Sequence, residues 1–459
     1  MSYNGDGYLI NTPEGTRDVL WDDCKSARGI ETALVALFSR QGYREVRTPV
    51  LEYYDLFMRA RNPISPDSMV KLVGRDGGLL VLRPDCTTPI ARIVATRLED
   101  MPQRLFYCQS VFRLAANSRG ENCETAQCGV ELFGIPGFEG DAEIVALAVD
   151  ALTALGADSF CLELGGLPQS ELEAIRESLG ETRASYVRFE PELHQDIDYY
   201  TGLVFRAYAP GTGKAILAGG RYDKLTGDFG RDVPAVGFAV YVDEVRKLHD
   251  APRANSRVRI AVAKGRVLSD FAALVAKLGF AIDSALDDRK LVRDIPNSNL
   301  SLVLAKSADV ITYVEHGVCE LGVVGRDTIL ELGGDFTELL DLKFGECRFA
   351  LAGPSGLSPD AVHVAASKYP NVAREYFTAL GSNVDIIKID GSVELAPILG
   401  LADAIVDLVQ TGGTLKANGL EVLDEISRIT GRLIANKAAL RLRKPELAEL
   451  TDRLRLALG

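Results

Sequence analysis

Residues 390–420 read DGSVELAPILGLADAIVDLVQTGGTLKANGL. At the centre, Ala404-Ile405-Val406-Asp407-Leu408-Val409 is a short apolar run with the length of a buried strand. Gln410-Thr411-Gly412-Gly413-Thr414 follows as a glycine-rich turn, and the spacing from Leu415 onward (LKANGLEVLDEI) predicts a helix. Strand, turn and helix start together make a cradle for phosphate, because backbone N–H groups converge there and the helix dipole favours an anion. Thr411 and Thr414 add hydroxyl donors, and Gly412 and Gly413 let the backbone approach with no Cβ in the way. Asp407, at the end of the predicted strand, and Glu394, at the head of the segment, are placed for the vicinal hydroxyls of a sugar whose 5-phosphate fills the turn. A TGGT alone is commonly an ordinary turn; the two acids beside it make it a candidate site.

The same alternating pattern extends back to Val258. Strands are predicted at Arg259–Ala263, Ser301–Ala305, Glu320–Val324, Cys347–Ala352, Ala361–Ala365 and Val384–Ile389, with helices at Val267–Leu278, Asp309–His316, Asp327–Leu332 and Asn371–Leu380. Two α/β lobes with crossing connections place a ligand in the cleft between them, at the carboxyl ends of strands. A helix at Glu446–Leu456 closes the chain.

SVELAPILGLADAIVDLVQTGGTL resembles the signature of ATP phosphoribosyltransferase, and the turn with its acids resembles a phosphoribosyl-diphosphate (PRPP) loop. RIAVAKGRV, DDRKLV, ADVITYVEHGVCELGVVGRD, GECRFALAGP and SKYPNVAREYF resemble the same catalytic chain, so the likeness covers about Arg257 to Arg432. It implies a two-lobed α/β fold like that of periplasmic binding proteins. It also implies a PRPP site of Glu394, Asp407, Thr411, Gly412, Gly413 and Thr414. Catalytic roles are implied for Arg289, Lys290, Arg266 and Asp407, with Lys264 and Arg266 beside a nucleotide. Mg²⁺ is expected to arrive with the substrate, no protein side chain being assigned to it. The family's short form, which works with a synthetase-like partner, is expected rather than the long form with its ferredoxin-like sensor domain.

The first half reads differently. Strand-like pieces at Glu45–Thr48, Leu79–Arg83, Leu105–Phe112, Val130–Phe133, Tyr199–Ala207, Lys214–Ala218 and Ala235–Val240 are broken by helices at Cys24–Gln41 and Gly140–Leu155. Runs of strands with single helices predict an antiparallel sheet with helices on it, an α+β layout. PEGTRDVL, LRPDCTTPIAR, the VFR ending at Arg113, QCGVELFG, DYYTGLVF and GGRYDKL are similar, in order, to the core of histidyl-tRNA synthetase, a class II synthetase. The resemblance implies a histidine pocket in which Asp85, Thr87, Gln127 and Glu131 face the amino group and nearby polar atoms. Arg113 would hold the carboxylate, and Tyr199 and Tyr200 would line the imidazole. Gln195 stands where that family has an arginine that offsets charge during adenylate formation, the Glu-Arg pair after Arg113 is missing, and no anticodon-binding domain follows. The half therefore resembles the regulatory subunit of the short-form transferase, here joined ahead of the catalytic chain. The expected divisions are residues 1–248, a polar linker at 249–257, and 258–459.

Composition agrees with this layout. The chain has 459 residues, 47% hydrophobic and 25% charged, enough for two or three ordinary domains. A net charge of −13 lacks the footprint of a nucleic-acid binder. Eight scattered cysteines and four histidines show no zinc spacing, so reduced cytosolic thiols are expected. MSYNGDGYLI has neither the basic nor the apolar region of a signal peptide, and no run is long enough to span a membrane, so a cytoplasmic protein without membrane partners is expected; no nucleic-acid partner is expected either, and the two families it resembles imply a homo-oligomer. GTGK at Gly211–Lys214 is not a P-loop, since Ala215 follows it and the upstream glycine is missing. The implied substrates are ATP and PRPP, with histidine as inhibitor. A working synthetase, a non-catalytic solute binder and a nucleobase-salvage transferase are the rivals.

Overall fold

The computed structural model describes residues 11–58, 64–114, 122–157, 159–190, 193, 200–250, 257–280 and 290–459. Arg289, Tyr199, Gln195 and linker residues 251–256 lie outside these. The chain divides into two units, Met1–Ala254 and Asn255–Gly459. Among the described residues no helix is long and apolar enough to cross a membrane.

Strands of the first unit are β1 (Arg44–Glu45), β2 (Leu51–Tyr53), β3 (Lys71–Val73), β4 (Leu79–Leu82), β5 (Gln103–Phe112), β6 (Glu124–Phe133), β7 (Cys161–Gly165), β8 (Val187–Phe189), β9 (Val204–Tyr208), β10 (Leu217–Arg221) and β11 (Ala235–Tyr241). Eight of them form one sheet in the order β1-β5-β6-β11-β10-β9-β7-β8, antiparallel except at its two edge pairs. Successive side chains of a strand point to opposite faces, and β6 shows what this achieves. Cys128, Val130 and Leu132 join a core in which Leu34 and Phe38 of helix Trp21–Arg40 meet Ile144, Ala148 and Leu152 of helix Gly137–Ala154. Phe133 turns to the other face, where it packs with Tyr107, Ile90 and Tyr222. Burying each large apolar side chain of this kind contributes roughly 1.5–3 kcal/mol, so both faces are covered and a polar residue on either needs internal partners.

One expectation is corrected here. Cys108 and Cys128 are not free thiols but form a disulfide, because β5 and β6 pair in a register that sets them directly opposite, with Cα atoms 4.2 Å apart. They stand 20 residues apart in sequence, and only the strand register brings them together. Cys24, Cys86, Cys123, Cys161, Cys319 and Cys347 take no part in a disulfide.

The second unit continues with β12 (Val258–Ala263), β13 (Val292–Asp294), β14 (Leu300–Ala305), β15 (Leu321–Gly325), β16 (Thr337–Asp341), β17 (Cys347–Pro354), β18 (Val364–Ser367), β19 (Asp385–Lys388), β20 (Ala404–Val409), β21 (Leu420–Ile429) and β22 (Gly431–Ala435). They make a six-stranded sheet, β13-β14-β12-β15-β22-β16, and a five-stranded one, β19-β18-β20-β17-β21. The helix expected from Leu415 onward is the second correction. One helical turn, Gly413–Ala417, is followed by strand β21, which pairs antiparallel with β17. Gly419, at φ +71°, makes the turn between them.

Candidate functional site

Each sheet of the second unit reverses its winding direction once. In the five-stranded sheet, β18 leads through helix Pro370–Ala379 to β19 on one side, and β19 leads back to β20 on the other side of β18. A crevice opens at the carboxyl ends of two parallel strands wherever the winding reverses, and ligands of open α/β sheets bind there. The loops flanking it are Lys368-Tyr369, after β18, and Gln410-Thr411-Gly412, after β20. In the six-stranded sheet, β12 lies between β14 and β15 and parallel to both. Lys264-Gly265-Arg266 follows β12 and Arg326-Asp327 follows β15 at the corresponding position. Topology alone therefore brings the glycine turn and the KGR segment to the ends of strands where ligands are held.

Gly412 has φ +73°, a conformation glycine adopts without strain, and caps the turn Gly413–Ala417. Buried Leu415 anchors that turn, while Thr411, Gly413 and Thr414 remain exposed. Asp407 lies within β20, two residues before its end, and is half-buried like Glu394. Burial pushes the Asp407 carboxyl up, its own strand's N–H at Leu408 opposes this, the Glu394 charge raises it further, and Lys368 pulls it down. Glu394 and Asp407 thus face one electrostatic environment. Lys264, Arg266 and Lys290 are exposed; Arg266 pairs with Asp270 at 3.6 Å. Three residues of this region carry signals that were not selected from the sequence, although GVVGRD and SKYPN contain them: Asp327, Lys368 and Tyr369. Burial raises the Asp327 carboxyl, and Lys368 opposes it. Burial raises the Tyr369 hydroxyl, with Asp327 and Asp407 adding to the effect.

The first unit holds its polar cluster on the sheet face away from helices Trp21–Arg40 and Gly137–Ala154. Glu131 of β6 is fully buried, and its carboxylate accepts hydrogen bonds from Thr87 Oγ1 at 2.7 Å and from the Tyr222 hydroxyl. Burial pushes its pKa up to about 8 despite those two bonds, with the Asp85 charge adding to the rise. Gly237 of β11 stands opposite Glu131, and a Cβ there would collide with Glu131 Oε2. Asp85 is buried and accepts from the Thr88 N–H at 2.8 Å and Thr88 Oγ1 at 3.1 Å. Its carboxyl is raised by burial, while Thr88 and Arg113 oppose that. Arg113 Nε donates to the Pro84 carbonyl at 2.7 Å. Tyr200 lies where Gly220 has no side chain, and its hydroxyl is raised by burial, then by Tyr241 and Glu131. Gln127, also buried, pairs across the ladder with Tyr241 and Gln109. The structure brings Thr87, Glu131 and Asp85 together, with Arg113 within reach of Asp85. Tyr222 was missed from the sequence, though GGRYDKL carries it.

Among the described residues no group of three or more His, Cys, Asp or Glu side chains is arranged to hold a metal. Glu394 and Asp407 offer paired hard oxygens, and a divalent ion brought by a phosphate substrate asks for one or two such carboxylates. The residues fit an ion of that kind.

Residues 306–456 match the family model for ATP phosphoribosyltransferase, and residues 15–168 and 168–245 match that for histidyl-tRNA synthetase. The ATP phosphoribosyltransferase of Clostridium kluyveri is 45% identical over 210 residues, spanning 44% of this chain and 94% of the relative. That of Clostridium acetobutylicum is 47% identical over 206 residues, spanning 44% and 95%. A Bacillus halodurans structure, described as an ATP phosphoribosyltransferase regulatory subunit/histidyl-tRNA synthetase, is 24% identical and covers 68% of this chain and 95% of its own, with a TM-score of 0.49, a superposition too loose to add to the sequence matches. These matches define a transferase unit preceded by a synthetase-like unit. The chain belongs to the ATP phosphoribosyltransferase family.

Proposed function

We propose that this chain joins N1 of the adenine of ATP to C1 of PRPP and releases pyrophosphate, the first step of histidine biosynthesis. In this reading residues 258–459 form a catalytic domain of two lobes, like a periplasmic binding protein. Residues 1–248 bind histidine and disfavour the active arrangement. The observation that carries the catalytic part is Asp407 beside Glu394 at the crevice between β18 and β20, with the turn Thr411–Thr414 at its mouth.

The barrier is largely electrostatic. Positive charge builds on the ribose ring as the C1–O bond to the diphosphate breaks and the N1–C1 bond forms, and negative charge collects on the departing pyrophosphate. Preorganised charges aimed at those two places lower such a barrier most. The backbone N–H groups and hydroxyls of Thr411–Thr414 hold the 5-phosphate. Glu394 and Asp407 hold the ribose hydroxyls and stabilise the cationic ring. Arg289 and Lys290 offset the charge on pyrophosphate, and Lys264 and Arg266 orient a nucleotide. Mg²⁺ arriving with PRPP would meet the oxygens of Glu394 and Asp407 and neutralise phosphate charge. No covalent nucleophile is required.

In the first unit, the ammonium of histidine meets Glu131, Asp85 and their neighbours Thr87 and Gln127; its carboxylate meets Arg113, and its ring meets Tyr199 and Tyr200. A coupling of roughly 1–3 kcal/mol between that pocket and the catalytic crevice would be ordinary, and it acts equally in both directions on binding. A homo-oligomer in the cytoplasm completes the proposal. Pyrophosphate release from ATP plus PRPP, repeated with histidine, tests it: release without histidine and suppression with it are expected, and no release overturns the catalytic reading.

A further inference from the structure

We propose that Lys368 is a further substrate-binding residue, placed to contact the diphosphate of PRPP and to follow it as pyrophosphate leaves. This rests on the function proposed above. Strands β18 and β20 pair in parallel through Ala365 and Ala404, Ala366 and Ile405, and Ser367 and Val406. Lys368 and Asp407 come next in that register, where neighbouring strands lie about 4.8 Å apart. Lys368 is exposed, and its charge reaches both Asp407 of β20 and Asp327, which follows β15.

The backbone beneath it is fixed from several sides. Buried Ser367 Oγ donates to the Val406 carbonyl at 2.6 Å and accepts from the Tyr369 N–H at 2.8 Å. The Tyr369 ring meets Phe349 edge-on, with centroids 4.9 Å apart. Glu331, on helix Arg326–Leu332, accepts from the N–H groups of Asn371 at 3.0 Å and Val372 at 3.1 Å. A lysine that merely solvates a surface needs no such support; one that must meet a phosphate group does. Chemistry then selects the phosphate. The 5-phosphate is taken by the turn after β20, and Asp407 takes a ribose hydroxyl. C1 neighbours the hydroxyl-bearing C2, so a cation beside Asp407 faces the diphosphate on C1. Lys368 offsets the two acids; with PRPP bound it turns to the more concentrated charge.

The test compares the full-length wild type, Lys368→Met and Lys368→Arg for binding of PRPP, inorganic pyrophosphate and ribose 5-phosphate by calorimetry, together with steady-state turnover. A charge-assisted contact of this type corresponds to about 10- to 100-fold in affinity. Lys368→Met is expected to weaken PRPP and pyrophosphate by that factor and leave ribose 5-phosphate within about twofold, with Lys368→Arg recovering most of the loss. Unchanged PRPP binding in Lys368→Met, or an equal loss for ribose 5-phosphate, overturns the assignment while wild-type turnover stands. A wild type that releases no pyrophosphate from ATP and PRPP overturns the proposed function and this assignment with it.

Discussion

Histidine binding to the first unit should expel a proton. Glu131 has a pKa of about 8 because burial outweighs the hydrogen bonds from Tyr222 and Thr87. At pH 7 about nine in ten unliganded molecules therefore hold the proton, and ionising the group there costs about 1.4 kcal/mol. An ammonium arriving beside it favours the carboxylate, so binding at pH 7 should release about 0.9 proton and affinity should rise about fivefold between pH 7 and 8. That window lies above the titration of the ligand's own imidazole. Calorimetry at pH 7 in two buffers of different ionisation enthalpy measures the release directly. Tight binding with the same heat in both buffers would refute the assignment of Glu131 to the ammonium.

The same carboxyl governs stability. Its proton is kept up to about pH 8 when folded but lost near 4.5 when unfolded, so stability present below pH 4.5 declines as pH rises through 8, by at most on the order of 5 kcal/mol; urea denaturation should show this slope in the wild type and a flatter one in Glu131→Gln. Asp407→Asn should lower pyrophosphate release by about 10²–10³-fold, and near-normal turnover would remove it from the ribose site. Arg221→Met should destabilise the first unit by about 3–5 kcal/mol, because it strips buried Asp141 of its partner at 2.8 Å; the double variant with Asp141→Leu should recover much of the loss in a thermal melt.

The strand at Ala404–Val409 and the acid within it were legible, since a short apolar run with one carboxylate has few other uses. Strand β21 was not. Its apolar residues Leu420, Leu423, Ile426 and Ile429 recur every three positions, close to helical spacing. The cause is local: the register with β17 slips twice, passing over Ile426 and then Leu423, and each slip adds a residue to a pattern that would otherwise repeat every two. Asn418-Gly419, a turn signal, marked the boundary and was outweighed by that false period. In the first unit, motif order singled out Glu131 and Thr87, but not that Tyr222, just past the end of β10, would share the carboxyl, nor that Gly237 leaves it room. Those facts depend on which strand lies beside which, and the pairing of β6 with β11 spans about a hundred residues of intervening chain.

Strand β22 arrives last and lies between β15 and β16, antiparallel to both. All of residues 347–429 must emerge from the ribosome before Leu433 and Ile434 can fill their fully buried positions. A nascent chain halted short of Gly431 would leave β15 with an open edge and β16 with no strand to pair with, the condition under which strands recruit foreign partners. Synthesis of this unit is thus exposed to aggregation until nearly its final stretch, and a premature stop codon anywhere in that interval should yield insoluble product rather than a partly working enzyme.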